Sequence, residues 1–262
     1  MIVRGAGDIA TGIIQKLFRA GFKVLALEIS NPSAIRRKVA LSEAVYEGFT
    51  EIEDLKSPLV ASEGEIYEAW KRGEIPIAID PKGKFIEILK PLAVVDAIIA
   101  KYNLGTNRDM APITVAVGPG FKAGLDVDVV VETMRGHDLG RLIFQGEAMK
   151  NTGVPGKING FDKERVIHSP IGGKIVNKTE IGDIVRAGDV LAVVENAEVV
   201  ATIDGVLRGI IRSGYNVKEG MKIADIDPRI EEVKNCFTIS DKARSIGGAA
   251  LEAVLYCINK RR

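Results

Sequence analysis

Cysteine is nearly absent, with only Cys236 and Cys257 in the chain. Two thiols cannot build a disulfide scaffold, and their number suits a reducing compartment. Their spacing is not that of a structural zinc site, so no metal is expected. Histidine is equally scarce, at His137 and His168. Aromatic residues are only 5% against 46% hydrophobic, so the core must be aliphatic. Excess charge is missing too: 36 basic and 35 acidic side chains leave a net of +1. That balance gives no electrostatic reason to expect nucleic acid or an anionic membrane as partner. No apolar run approaches the ~18 residues of a membrane span. The first residues enter a strand directly rather than a signal-peptide layout, so a cytoplasmic location is expected.

What is present is concentrated at the start. Residues Met1 to Glu28 read MIVRGAGDIATGIIQKLFRAGFKVLALE. Met1 to Val3 begin a buried strand. Gly5, Gly7 and Ala10 then fall in the G-x-G-x-x-G/A spacing of a dinucleotide turn. The first glycine permits the tight turn, the second lets backbone approach a pyrophosphate, and the small third residue lets helix sit on strand. Ile9, Ile13, Ile14, Leu17 and Phe18 repeat at helical spacing, while Asp8 and Gln15 stay off that face. Gly21 ends the helix, and Lys23 to Glu28 forms a second strand that ends in an acid. Glu28 is placed to meet a ribose hydroxyl. Strand, turn, helix, strand and acid together predict a Rossmann-like unit. Its ligand is expected to be a nucleotide or dinucleotide, NAD(P)-like or molybdopterin-type, held by Gly5, Gly7, Asp8, Ala10, Thr11 and Glu28.

Further along, Arg36, Arg37 and Lys38 lie on a short helix, either as phosphate contacts or as a solvated face. Glu43 and Tyr46 are polar candidates near the same crevice. Gly64 to Gly73 reads as a helix with Ile66, Ala69 and Trp70 inward. Ile75 to Asp80 is a strand, and Phe85 to Leu89 reads as a short edge strand. Leu92 to Ile99 is apolar except for Asp96, which fits a parallel strand buried on both faces. Because ligands gather beyond strand ends in such sheets, Asp96 is a catalytic candidate; the alternative is a turn-capping acid.

Ile113 to Val117 runs into GPGFKAG (Gly118 to Gly124), where Gly118 and Gly120 either cradle an anion or make a simple turn. Val127 to Glu132 is a strand. The ten residues that follow from Glu132 are the densest polar cluster, with Arg135, His137, Asp138 and Arg141. His137 and Glu132 are acid–base candidates, and Arg135 and Arg141 could fork an anion; an ordinary hairpin is the rival reading. These two loops are expected to converge on the mouth of the nucleotide crevice. Leu142 to Phe144 closes the hairpin, and NTGVPG from Asn151 is a turn-rich linker.

From Arg165 to Arg229 one pattern occurs twice at a constant offset: Gly173 and Gly205, Gly182 and Gly214, Gly188 and Gly220. Short strands between glycine turns predict a small sandwich with a pseudo-dyad. Ser169-Pro170, the run from Gly182 to Leu191 and Val194-Glu195 resemble a biotinyl/lipoyl-type barrel-sandwich module. Carrier members present a lysine on the hairpin; Glu195 to Val199 has none, so the expectation is an unmodified structural or docking module. The last segment, from Ser240, is helical. Ile246, Ala250, Val254, Cys257 and Ile258 share one face, and Gly247-Gly248 requires a close neighbour, either backbone or a ligand phosphate.

The motifs VRGAGDIATG, IRRKVALSEAVYEG, VVDAIIAK, GPGFKAGLDVDVVVETMRGHDLGR, NTGVPG, GVLRGII, DIDPR and SDKARSIGGAALEA, in that order, resemble the YqeB family. The resemblance covers nearly the whole chain. It implies an accessory protein that matures selenium-dependent molybdenum hydroxylases, with the hydroxylase or its maturation machinery as partner. It implies no catalytic residues.

The fold expected is therefore α/β: a doubly wound parallel Rossmann-like sheet, then a barrel-sandwich-like β module and a C-terminal helix. The divisions read as 1–120 for the nucleotide-binding domain, 121–164 for a connecting region, 165–229 for the β module and 230–262 for the helical segment. A homo-oligomer is expected. The rival functions are an NAD(P)-dependent oxidoreductase and a non-catalytic scaffold.

Overall fold

The computed structural model describes residues 1–151, 153 and 158–260. Most of the linker expected from Asn151 to Gly156 lies outside the described residues. Two compact units emerge. The first joins Met1–Pro32, Ala40–Thr152 and Ile239–Arg262; the second joins Ser33–Val39 and Gly153–Thr238.

In the first unit the strands are β1 (Ile2–Arg4), β2 (Leu25–Glu28), β3 (Phe49–Ile52), β4 (Leu55–Val60), β5 (Ile77–Ile79), β6 (Ala93–Asp96), β7 (Ile113–Val117), β8 (Lys122–Ala123), β9 (Val129–Val131), β10 (Leu142–Ile143) and β11 (Gly146–Glu147). The helices are α1 (Asp8–Arg19), α2 (Ala44–Glu47), α3 (Glu63–Lys71), α4 (Lys84–Leu89) and α5 (Asp241–Lys260). One nine-stranded sheet runs in the order β10-β9-β7-β6-β1-β2-β5-β4-β3. Its interior pairings, from β4 across to β9, are parallel; only β3 and β10 at the edges run antiparallel. The central strands are apolar without alternation because both of their faces are covered. Val3, Ala26, Val95 and Val115 pack toward α1 and α5, whereas Ile2, Leu25, Leu27 and Val94 pack toward α3 and α4. Among the described residues no helix is long and apolar enough to cross a membrane.

Local sequence explains most of these elements. A capping box between Ser62 and Glu65 starts α3, and Trp70 Nε1 donates to the Val24 carbonyl at 2.8 Å. The expected edge strand at Phe85–Leu89 is instead the helix α4. Its run FIEIL satisfies both periods, and the turn decides: Gly83 N donates to the Asp80 carbonyl, while Asp80 Oδ2 accepts from Phe85 N at 2.9 Å. Phe85, Ile86 and Leu89 then share one face in the core.

The C-terminal helix is not a separate segment. It belongs to the first unit, and of its two adjacent glycines Gly247 has a close neighbour, the backbone of α1. A Cβ on Gly12 would stand 2.5 Å from the Ala243 carbonyl oxygen, and one on Gly247 would overlap the Gly12 carbonyl.

The second unit contains β12 (Val166–His168), β13 (Gly173–Asn177), β14 (Ile184–Val185), β15 (Val190–Val194), β16 (Ala197–Val200), β17 (Gly205–Ile210), β18 (Asn216–Val217) and β19 (Lys222–Asp227). They form two four-stranded antiparallel sheets, β12-β19-β17-β14 and β16-β15-β13-β18, around one aliphatic core. The repeat is visible in the starts: Gly173 and Gly205, Ile184 and Asn216, Val190 and Lys222. The pairing is reciprocal: β13 takes β18 from the other half, and β17 takes β14.

Ser33–Val39 clusters with this unit, and two of its cations are held by backbone carbonyls, whereas Lys38 is exposed. Arg36 Nη2 donates to the carbonyls of Asn235 (2.9 Å) and Thr238 (3.3 Å), and Arg37 Nε donates to that of Ile210 (2.8 Å).

Candidate functional site

The glycine turn joins the carboxyl end of β1 to α1. Gly5 N donates to the Leu27 carbonyl at 2.7 Å, which ties the turn to β2. At φ +96° Gly5 has a left-handed backbone, and a Cβ there would meet the Ala97 carbonyl oxygen at 3.0 Å, so only glycine fits. Gly7 is different. It is extended (φ −66°, ψ −176°), caps α1 without a side-chain hydrogen bond, and nothing lies within 4 Å of a Cβ built on it. The helix therefore starts with backbone donors unsatisfied by any side-chain cap, beside open space. Ala10 is fully buried, as packing of helix on strand requires.

Two of the expected ligand contacts have partners inside the protein. The Thr11 hydroxyl donates to the Gly7 carbonyl at 2.9 Å and accepts from Leu41 N at 3.0 Å, so it braces the turn from within. Ser42 N donates to the Ala6 carbonyl at 2.8 Å, laying the 40–43 loop along the turn. Glu28 Oε2 accepts from Ala6 N and Oε1 from Ile29 N, both at 2.8 Å. Burial pushes this carboxyl above its ordinary range, and the two N–H donors pull against that. Tyr46, the other polar candidate, donates its hydroxyl toward Asn31 Oδ1 or the Pro32 carbonyl, both at 2.7 Å.

Asp96 sits at the end of β6, in register with Arg4 at the end of β1. The two are almost wholly buried, 1% and 5% exposed. Arg4 Nη1 stands 3.7 Å from Asp96 Oδ2 and donates to the Thr106 hydroxyl, which in turn donates to Asp96 Oδ2 at 2.5 Å. Ile98 N donates to Oδ1 at 3.2 Å. Burial holds the carboxyl above its ordinary value, with Thr106, Ile98 and Arg4 opposing. Sequence reasoning missed Arg4 and Thr106; an arginine ending an otherwise apolar strand, directly before the glycine turn, was the available signal.

The two later loops meet each other at their bases, where a Cβ on Gly118 would lie 3.0 Å from Thr133 Oγ1. The glycine loop spends its donors at home: Gly118 N on the Val131 carbonyl, Lys122 N on Asp126 and Gly124 N on the Val127 carbonyl. Gly120 presses on the backbone of Tyr102. The simple turn thus accounts for most of this loop. Glu132 is buried, and its oxygens accept from Thr133 N, Met134 N and Met149 N at 2.6, 2.6 and 2.7 Å, which folds the polar loop around its carboxylate. Arg141 pairs with Asp138 at 3.0 Å on the rim of a cleft of about 400 Å³ that Glu132 and Met149 also line. Arg135 reaches Asp241 at the start of α5, at 2.8 Å. His137 is exposed, and among the described residues no hydrogen bond or ion pair engages it.

The start of α5 is what joins this loop to the glycine turn. Lys242 is half-buried there, and burial first and Arg135 next hold its ammonium below the ordinary lysine range, with Asp8, Asp241 and Glu132 opposing. A second hollow, a groove of about 790 Å³ between α4 and the Asn107–Pro112 stretch, contains none of the expected site residues.

No family model matches the chain. It is 46% identical over 260 residues to "Uncharacterized protein YqeB" of Escherichia coli strain K12. The match takes in 99% of this chain and 48% of that protein, so the chain spans about half the length of its curated relative. Among solved structures, a succinylglutamate desuccinylase from Silicibacter sp. TM1040 is 15% identical, with TM-score 0.26 over 86% of this chain and 83% of that one. The product-bound ectoine utilization protein EutE (DoeB) from Ruegeria pomeroyi is 12% identical, with TM-score 0.25 over 78% and 57%. Likeness at this level bears on neither fold nor chemistry.

Proposed function

The chain is a relative of YqeB, and on that premise we propose that it is a nucleotide-binding maturation factor for selenium-dependent molybdenum hydroxylases. In this reading the first unit is a Rossmann-like, doubly wound domain and the second a barrel-sandwich-like module that carries no swinging arm. The ligand is a nucleotide or a nucleotide-containing cofactor, NAD(P)-like or molybdopterin-type. Its phosphates rest on the start of α1, and its ribose competes with Ala6 N for Glu28. The observation that carries the reading is the contrast between the two glycines of the turn. Gly5 is closed in by the Ala97 backbone, whereas Gly7 faces room for a ligand. Fold alone does not make an enzyme.

A binding and assembly role is favoured over an oxidoreductase by the state of the proposed acid–base groups. Asp96 and Glu132 have their oxygens committed to protein donors, which leaves only His137 available for proton transfer. Mass spectrometry of the ligand retained by the gently purified protein tests the proposal. A nucleotide-containing species is expected. A protein that retains none, and that shows no heat with NAD⁺ or a molybdopterin nucleotide in calorimetry, sinks it.

A further inference from the structure

The large sheet reverses its order between β1 and β6. From β1 the chain moves on to β2, and from β6 it moves the other way to β7, so the connections after these two parallel strands part outside their carboxyl ends. Ligands of open α/β sheets lie in such a crevice. The glycine turn forms one wall of it. The other wall is the stretch from Ala97 to Thr106. Its near end is fixed by Ala97 N, which donates to the Arg4 carbonyl at 2.9 Å, and its far end by the Thr106 hydroxyl, which donates to Asp96 at 2.5 Å. Asn103 Oδ1 accepts from Gly105 N and Thr106 N, and its Nδ2 donates to the Thr106 carbonyl, all at 2.8 Å.

This wall is strained as well as fixed. Ile99 (φ +59°) and Lys101 (φ +68°) are left-handed without being glycine, and a β-branched residue rarely is. A glycine on each side admits its backbone: a Cβ on Gly5 would lie 3.1 Å from Ile98 Cα, and one on Gly120 would lie 2.5 Å from Tyr102 Cα. What the stretch presents to solvent is apolar. Ile98, Tyr102 and Leu104 are exposed, Tyr102 by 64%. Among the described residues no hydrogen bond engages the Tyr102 hydroxyl, and no other ring or cation meets its face. The tyrosine thus gives the fold little by burial, yet a strained backbone holds it in place. Strain retained beside a crevice belongs with binding rather than stability.

Position sets what Tyr102 can meet. Glu28 ends β2, on one side of β1, whereas Tyr102 follows β6, on the other. Four residues separate Tyr102 from Ile98 at the glycine turn, a span of at most ~14 Å. A ligand that touches both Glu28 and Tyr102 therefore crosses the turn and has a ring at each end. We propose that Tyr102 is the stacking platform for the second ring of such a ligand: a nucleoside whose ribose meets Glu28, joined through its phosphates to another planar ring that lies on Tyr102. The inference rests on the nucleotide reading above and narrows its ligand to the dinucleotide class, against a mononucleotide.

Calorimetry on the full chain with NAD⁺, FAD and ADP separates the possibilities. Wild type is expected to bind NAD⁺ or FAD about tenfold more tightly than ADP, the scale of one stacked ring, and the probe that shows the advantage identifies the ring. Tyr102→Ala is expected to remove the advantage and leave ADP unchanged. Tyr102→Phe should keep it, because the ring face rather than the hydroxyl makes the contact. Circular dichroism melts check that the variants fold. If wild type binds ADP as tightly as both dinucleotides, or Tyr102→Ala keeps the advantage, this inference falls and the nucleotide reading stands. If wild type binds none of the three, both fall.

Discussion

Gly12 and Gly247 meet backbone to backbone where α1 crosses α5, with no room for a methyl group on either. Gly248, the next residue, has nothing within 4 Å of a built Cβ. The adjacent glycines thus make opposite predictions. Gly248→Ala should stabilise the protein by about 1 kcal/mol, the helix-propensity difference. Gly247→Ala should destabilise it by about 1–3 kcal/mol despite the same propensity gain, because it overpacks a backbone contact. Urea titrations of the two variants read this directly, and equal shifts in one direction would contradict the packing described.

The turn glycines make a similar pair. Gly5→Ala strains a left-handed residue against the Ala97 carbonyl and should cost about 1–3 kcal/mol of stability. Gly7→Leu should fold normally, since its backbone is extended and its surroundings open, but should abolish nucleotide binding. Melts beside calorimetry separate the two effects. A Gly7→Leu protein that binds as well as wild type would remove the ligand from this turn.

Asp96 and Arg4 form a buried charge pair with Thr106 between them. Removing one partner strands the other charge, so Arg4→Met should cost about 3–5 kcal/mol. The double variant Arg4→Met/Asp96→Leu should recover part of that loss, a coupling that a double-mutant cycle measures. Additive costs would mean that the pair does not act as a unit.

Glu28 should leave a signature in the pH dependence of stability. Its folded-state carboxyl is held above the ordinary value of 4.5, chiefly by burial. Between the ordinary and the raised value the folded state binds more protons than the unfolded one. Its contribution therefore falls as pH rises through that window and is constant above it. Glu28→Gln should abolish that slope, so the stability difference between wild type and variant changes with pH across the window and is constant above it. Unfolding free energies measured at a series of pH values test this; a parallel profile would show that Glu28 titrates as it does in the unfolded chain.

Much of this was legible in the sequence because it is written locally. The glycine turn, the α1 face and the unbroken apolar strands follow from spacing and from burial on both faces. The repeat follows from a constant offset. The misreadings arose where a local pattern fits two structures. Phe85–Leu89 satisfies both periods, and a turn at Asp80 decides between them. Arg36 and Arg37 read as surface charge because nothing local shows that Asn235, Thr238 and Ile210 will offer carbonyls. The partner of Gly247 is invisible for the same reason: Gly12 lies more than two hundred positions away along the chain.

The crossed pairing in the second unit sets a rule for how that unit can be divided. Since β13 completes its sheet with β18, and β17 completes its own with β14, neither repeat can satisfy its first strand alone. A fragment ending between the halves, near Thr202, is left with open strand edges on both sheets. Two such fragments supply each other with the missing partners, so the unit is suited to reassembly from separately expressed halves, and a single repeat made in isolation is driven to pair with its own twin.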